Sequence, residues 1–129
     1  MRVIDASIIV KLLIEENGSV AARDLVEKED LVVPDFLFIE IANTLTTKTQ
    51  LSPAQIEEGL ELIYELDLRT EHTDKRLLME AAILAKEKGT AVYDMLYAVL
   101  AKRLGTELIT ADIKFATKTK FSFVKILDE

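Results

Sequence analysis

Short β-prone runs alternate with longer amphipathic helical stretches along the whole chain, and few folds accept that pattern. Residues 2–5, 31–33, 107–110 and 123–127 read as strands, and 68–71 as a weaker one. Helical spacing predicts helices over 7–14, 19–29, 35–49, 53–66, 74–88, 94–104 and 113–119. The punctuation agrees. Asn17-Gly18 marks a turn, Pro34 is expected to stop the second strand, and Gly89 and Gly105 fit helix C-terminal caps. Ser52-Pro53-Ala54-Gln55 has a capping serine, proline at the first helical position and glutamine three residues after the serine. Strands separated by helices cannot pair as hairpins. They predict an α/β fold with a parallel sheet covered on both faces. No linker, repeat or low-complexity tract interrupts the 129 residues, so residues 1–129 are expected to form one domain.

Four acids stand where such a fold places its chemistry. Asp5 ends the first strand, Asp112 follows the strand Leu108-Ile109-Thr110, Asp94 opens a helix, and Glu40 interrupts the apolar run Phe36-Leu37-Phe38-Ile39. Aspartate before a helix is a favoured N-cap, so Asp5, Asp94 and Asp112 each have a structural use on their own. Ligands in parallel α/β sheets, however, bind beyond the carboxyl ends of the strands, where Asp5 and Asp112 are expected. Glu40 has no cap explanation. At helical spacing it shares a stripe with Asn43, Thr44 and Thr47, opposite Ile41, Ala42 and Leu45. That stripe is either solvated surface or the wall of a wet cleft. Ser7 and Thr110 put small hydroxyls two residues from Asp5 and Asp112, where they can orient a carboxylate. Tyr93 and Tyr97 flank Asp94 at helical spacing and read as core and rim before base-stacking platforms, and His72 reads as an ordinary surface histidine.

Composition narrows the chemistry. Half the residues are hydrophobic, which is ample for a core. No apolar run approaches the roughly 20 residues of a membrane helix, and an acid follows the N-terminus too closely for a signal peptide. The expectation is a cytoplasmic protein with no membrane contact. Without cysteine there is neither a disulfide framework nor a thiolate metal site, and one histidine makes a zinc centre a poor fit. A net charge of −7 argues against wrapping duplex DNA on a basic surface. Residues 113–127 run against that balance, with Lys114, Lys118, Lys120 and Lys125 and no acid.

The segments Val3-Ile4-Asp5-Ala6-Ser7, Ile39-Glu40-Ile41-Ala42-Asn43-Thr44-Leu45, Tyr93-Asp94-Met95-Leu96-Tyr97-Ala98 and Thr110-Ala111-Asp112-Ile113-Lys114-Phe115 resemble, in order, the four motifs of PIN-domain ribonucleases. Within that family the chain is most similar to the toxin half of VapBC-type toxin–antitoxin modules. The resemblance implies a three-layer α/β/α fold with a central parallel sheet of about five strands. It implies RNA cleavage with Mg²⁺ or Mn²⁺ held by Asp5, Glu40, Asp94 and Asp112, and supported by Ser7, Asn43 and Thr110. It also implies a homodimer and a small antitoxin partner. Two cations about 3.5–4 Å apart would clamp an in-line displacement that leaves a 5′-phosphate and a 3′-hydroxyl.

Other functions need different residues. A phosphoacceptor signalling domain needs adjacent acids after the first strand, where this chain has Val3-Ile4-Asp5-Ala6-Ser7. An Asp-x-Asp phosphatase needs an acid at position 7, which is serine. A non-catalytic PIN-like binding module remains compatible with the same fold, although the four acids are intact.

Overall fold

A computed structural model describes residues 1–128; Glu129, the last residue of the expected domain, lies outside the described residues. Five strands form one sheet in the order β3-β2-β1-β4-β5, every neighbouring pair parallel. They are β1 (Arg2–Ile4), β2 (Leu31–Pro34), β3 (Arg69–Glu71), β4 (Leu108–Thr110) and β5 (Val124–Ile126). Helices α1 (Ala6–Leu13) and α2 (Ser19–Lys28) connect β1 to β2, and α3 (Leu37–Thr47) and α4 (Pro53–Glu65) connect β2 to β3. Helices α5 (Lys75–Lys88) and α6 (Val92–Leu104) lead to β4, and α7 (Ile113–Thr119) to β5. The result is the three-layer α/β/α architecture.

The order follows from burial. All four residues of β2 are buried, as a strand covered on both faces requires. The central pair is β1 and β4, with Val3 opposite Leu108 and Ile4 opposite Ile109. In α6 seven consecutive residues, Met95 to Ala101, are buried. A helix apolar on every side belongs inside, and α6 packs against β1, β2, β4 and α5. Its first turn is thereby fixed at the carboxyl edge of the sheet.

The chain leaves β1 towards β2 and returns on the other side of β1 as β4. Strand order therefore reverses between β1 and β4, and a crevice opens beyond their carboxyl ends. Asp5 and Asp112 follow those two strands.

Several boundaries differ from the sequence expectation, and three of them have a local reason. Pro34 is the last residue of β2, opposite Glu71, instead of stopping the strand before it; proline is tolerated at a ladder's end, where its missing N–H costs little. Helix α3 starts at Leu37, not 35, because the Asp35 carboxylate accepts from Thr73 N at 3.2 Å and Thr73 Oγ1 at 2.7 Å and ties the preceding turn to the β3–α5 loop. Helix α6 starts at Val92, with Ala91 as its N-cap. Asp94 thus sits in the first turn and caps nothing, and alanine at the cap left no sequence mark of the true start. Among the described residues no helix is long and apolar enough to cross a membrane.

Candidate active site

Asp5, Glu40, Asp94 and Asp112 all line one cleft of about 290 Å³ at the β1/β4 switch point. Each arrives by a different route. Asp5 is the residue between β1 and α1, and its carboxylate caps α1 by accepting from Ser7 N at 3.0 Å. Asp112 caps α7 by accepting from Phe115 N at 3.0 Å. Both aspartates therefore cap a helix while facing the cleft. Glu40 lies in the first turn of α3 and Asp94 in the first turn of α6.

Two hydroxyls fix Asp5. Ser7 Oγ accepts from Ala111 N at 2.9 Å and donates to Asp5 Oδ1 at 2.5 Å. Thr110 Oγ1 accepts from Asp112 N at 3.0 Å and donates to Asp5 Oδ2. A hydroxyl has one proton. A backbone N–H occupies one acceptor side of each oxygen, so each proton goes to Asp5. This network joins α1 to the β4–α7 turn and holds the carboxylate in one orientation.

The electrostatics carry the mark of crowded acids. Burial raises the pKa of Asp5, the Ser7 and Thr110 bonds pull it down, and the charges of Glu40 and Asp94 push it up again, to about 6. Burial also raises Asp94, the charges of Asp112 and Glu40 add to it and Lys48 opposes them, leaving it at about 6. The donor set is oxygen only, the preference of hard divalent cations. It therefore fits Mg²⁺ or Mn²⁺ better than zinc. Among the described residues no three carboxylates, histidines or cysteines are grouped closely enough to grip an ion; the four acids line a common cleft without closing on one point.

The chain matches the family model for the PIN domain over residues 2–120. This chain belongs to the PIN-domain family. It is 31% identical over 121 residues to Ribonuclease VapC3 of Pyrobaculum aerophilum, an alignment covering 90% of this chain and 92% of that protein. The fold is similar to that of VapC20 of Mycobacterium tuberculosis, a sarcin–ricin-loop-cleaving toxin. The TM-score is 0.75 at 12% identity, over 99% of this chain and 100% of that one. It is similar to the same degree to a chain of a toxin–antitoxin complex from Klebsiella pneumoniae, with a TM-score of 0.75, 14% identity, and 100% and 99% of the two chains covered. Identities this low speak for the PIN fold alone.

Other expected residues divide. Thr44 lines the cleft with Glu40, whereas Asn43 is exposed and lies in the neighbouring hollow towards Tyr93. The polar stripe of α3 is thus cleft wall over part of its width. His72 is on the surface, its side chain 81% exposed, with Nδ1 3.1 Å from Asp35 Oδ2. The two tyrosines exchange the expected places, Tyr97 being buried against the sheet and Tyr93 exposed at the rim, and Tyr97 also has a polar task. Its hydroxyl donates to Glu40 Oε1 at 2.5 Å, and burial, with the Glu40 charge beside it, pushes its pKa well above the ordinary phenol value. The sequence signal was the spacing Asp94-x-x-Tyr97, which sets both side chains towards one side of α6. Lys11 carried no signal beyond its position. It lines the cleft one turn after Ser7 and bonds Glu16 Oε1 at 3.2 Å and the Asn17 carbonyl at 2.5 Å.

Tyr97→Phe isolates the bond to Glu40. The ring and its packing on Phe36, 5.0 Å between centroids, remain. One hydrogen bond to a partly buried carboxylate is removed, costing about 1–2 kcal/mol and a few degrees of melting temperature. A carboxylate without its orienting partner should bind Mn²⁺ about tenfold more weakly. Thermal melts and Mn²⁺ calorimetry read the two effects separately, and unchanged Mn²⁺ affinity would remove Glu40 from the cation set.

Proposed function

We propose that this protein is a divalent-metal-dependent endoribonuclease, the toxin of a toxin–antitoxin pair, acting as a single PIN domain in the cytoplasm. The observation that carries the reading is the meeting of Asp5, Glu40, Asp94 and Asp112 in one cleft at the strand-order reversal. Membership of the PIN family and likeness to a protein named a ribonuclease support it.

Asp5, Glu40, Asp94 and Asp112 would hold Mg²⁺ or Mn²⁺, which when bound supplies Lewis-acid activation of water and neutralises charge at the cleaved phosphodiester. The chain's own residues do the positioning. Ser7 and Thr110 fix both oxygens of Asp5. Tyr97 fixes one oxygen of Glu40 and leaves the other free to face the cleft. Asp112 stays oriented through its bond from Phe115 N. Asp94 has no cap to serve and is free to turn towards a ligand. Among the described residues no histidine or cysteine lines the cleft, so no side-chain nucleophile of those types competes with water.

The direct test incubates the protein with RNA in Mn²⁺, in Mg²⁺ and in EDTA. Cleavage in the metals, none in EDTA, and products with 5′-phosphate and 3′-hydroxyl ends are expected. Absence of cleavage across many RNAs in Mn²⁺ would favour the non-catalytic module.

The solved structures of similar fold include a chain of a toxin–antitoxin complex. The partner proposed here is a small antitoxin that sets an arginine among the four acids, because the planar guanidinium matches carboxylates bidentately. A homodimer is proposed too, supported by Leu78, Met79 and Ile83, 48%, 54% and 59% exposed on α5. The antitoxin should lose affinity as Mn²⁺ rises, in a competition titration. Sedimentation that gives only monomer at micromolar concentration would end the dimer claim and leave the chemistry untouched.

A further inference from the structure

The acidic cleft continues at both ends. Through Glu40 and Thr44 it joins a hollow of about 330 Å³ that also holds Lys48 and Tyr93. Through Asp94 and Asp112 it joins a smaller hollow of about 170 Å³ walled by the α5–α6 turn and by Lys114 and Lys118 of α7. Through these shared residues the three hollows adjoin one another along a grooved surface, with the four acids lining the hollow they have in common.

The two ends differ in chemistry. At the first, Tyr93 is 64% exposed although it is a large aromatic. Its ring leans on Phe36, 6.2 Å between centroids, and Phe36 leans in turn on the buried Tyr97. A supported yet exposed ring is a ready surface for a flat partner. Lys48 stands at the same end, and its charge is felt as far as Asp94. At the other end Lys114 and Lys118 are four residues apart, on one side of α7. Lys118 Nζ donates to the Gly89 carbonyl at 2.7 Å, which holds the ammonium at the groove wall. The acids lining this end are Asp94 and Asp112, which belong to the centre.

We infer that Tyr93 and the two lysines of α7 set the path of the RNA strand past the acidic centre, Tyr93 stacking a base and Lys114 and Lys118 taking backbone phosphates. The inference rests on the nuclease reading and names the strand's path. The acids of the cleft repel phosphate, and the lysine that lines it, Lys11, is already paired with Glu16, so attraction has to come from the flanks. Two lysines and one ring supply it locally, which a chain of net charge −7 could not do over the broad face of a duplex. Stacking on tyrosine needs a base free of its neighbours, which a single strand offers and a duplex does not.

The test uses a short fluorescein-labelled single-stranded RNA, followed by anisotropy in EDTA so that nothing is cut, with cleavage in Mn²⁺ measured in parallel. Tyr93→Ala should bind about tenfold more weakly, and Tyr93→Phe should restore binding, since the ring and not the hydroxyl stacks. Lys114→Gln with Lys118→Gln should lower the slope of log affinity against log salt by about 1.4, near 0.7 for each phosphate no longer neutralised. Lys75→Gln with Lys86→Gln, on α5 outside the groove, should leave that slope unchanged. The same RNA annealed to its complement should bind about tenfold more weakly than the single strand. If wild type cuts RNA while the Tyr93 and α7 variants bind and cut like wild type, or the duplex binds equally well, the groove is wrong and the nuclease reading stands. If wild type neither binds nor cuts any RNA, both fall. All the substituted residues are exposed, and a melting curve of each variant checks that the fold is kept.

Discussion

Asp94→Asn is expected to lower metal-dependent RNA cleavage by about a thousandfold and to leave the fold intact. The two halves of that expectation have separate grounds. Asn keeps the shape of Asp but removes the charge a hard cation requires. Structurally Asp94 has little to lose, since Ala91 is the N-cap of α6. A first-turn carboxylate gains about 0.5 kcal/mol from the helix dipole, yet here it stands against the charges of Asp112 and Glu40. Removing it should be neutral or stabilising in EDTA. Asp5→Asn would also abolish cleavage but is a poorer test. Its amide would set N–H groups against the hydroxyl protons of Ser7 or Thr110, so a dead Asp5 variant could be a disordered one. An Asp94→Asn protein that cuts RNA at the wild-type rate removes the proposed site.

Without metal the protein should become more stable as the pH falls from about 7.5 to about 5. Asp5 and Asp94 both titrate near 6 in the folded state, above the ordinary aspartate value of 3.8. Between those limits the folded chain binds more protons than the unfolded one. The stabilisation is complete below 3.8 and is lost as the pH rises through 6. Two groups raised this far have a combined upper bound of about 5–6 kcal/mol, which coupling and solvent reduce to a few. Asp74 works in the opposite sense: Arg103 holds it down near 2, and its contribution disappears only at lower pH. The optimum in EDTA should therefore lie on the acid side of neutral. At pH 7.5 the cation replaces the protons. Mn²⁺ at about a hundredfold over its Kd should add about 2.7 kcal/mol, roughly 10 °C in melting temperature. Asp112 separates charge from capping. Asp112→Asn keeps a side-chain oxygen for Phe115 N and should melt higher than wild type in EDTA. Asp112→Ala loses the cap as well and should be about 1 kcal/mol less stable than Asp112→Asn. A wild type with no Mn²⁺ shift, together with an Asp112→Asn protein that melts lower in EDTA, would leave only the cap.

The sheet was legible because β-prone runs such as Leu31-Val32-Val33 are bounded by polar turns and buried on both faces. The capping box at Ser52 was legible because it is a local bond set, with Gln55 N to Ser52 Oγ at 3.2 Å and Ser52 N to Gln55 Oε1 at 2.8 Å. The start of α6 was not, because alanine at its cap carries no signal and burial against the sheet, not capping, defines the helix. Of the candidate site, Asp5, Asp94 and Asp112 drew notice by their places beside strands and helices, whereas spacing left Glu40 open and the resemblance to the four PIN motifs brought it into the set. Their hydroxyl supports Ser7 and Thr110 could be named as well. That Tyr97 serves Glu40, or that Lys48 and Lys114 line two hollows adjoining the same cleft, depends on how elements far apart in the chain meet. Local pattern has no access to that.

Because β1 lies at the centre of the sheet, its two neighbours come from opposite halves of the chain: β2 is made soon after it, β4 about a hundred residues later, with Val3 waiting for Leu108. The hydroxyl of Thr110 and the carboxylate of Asp112 arrive later still. During synthesis, Asp5 precedes Thr110 by 105 residues and stays without half of its surroundings until that later segment has been made. A nascent or prematurely released fragment cannot carry a finished centre. For the nuclease proposed above, that order of assembly would be a safeguard written into strand topology, in force before the proposed antitoxin had arrived.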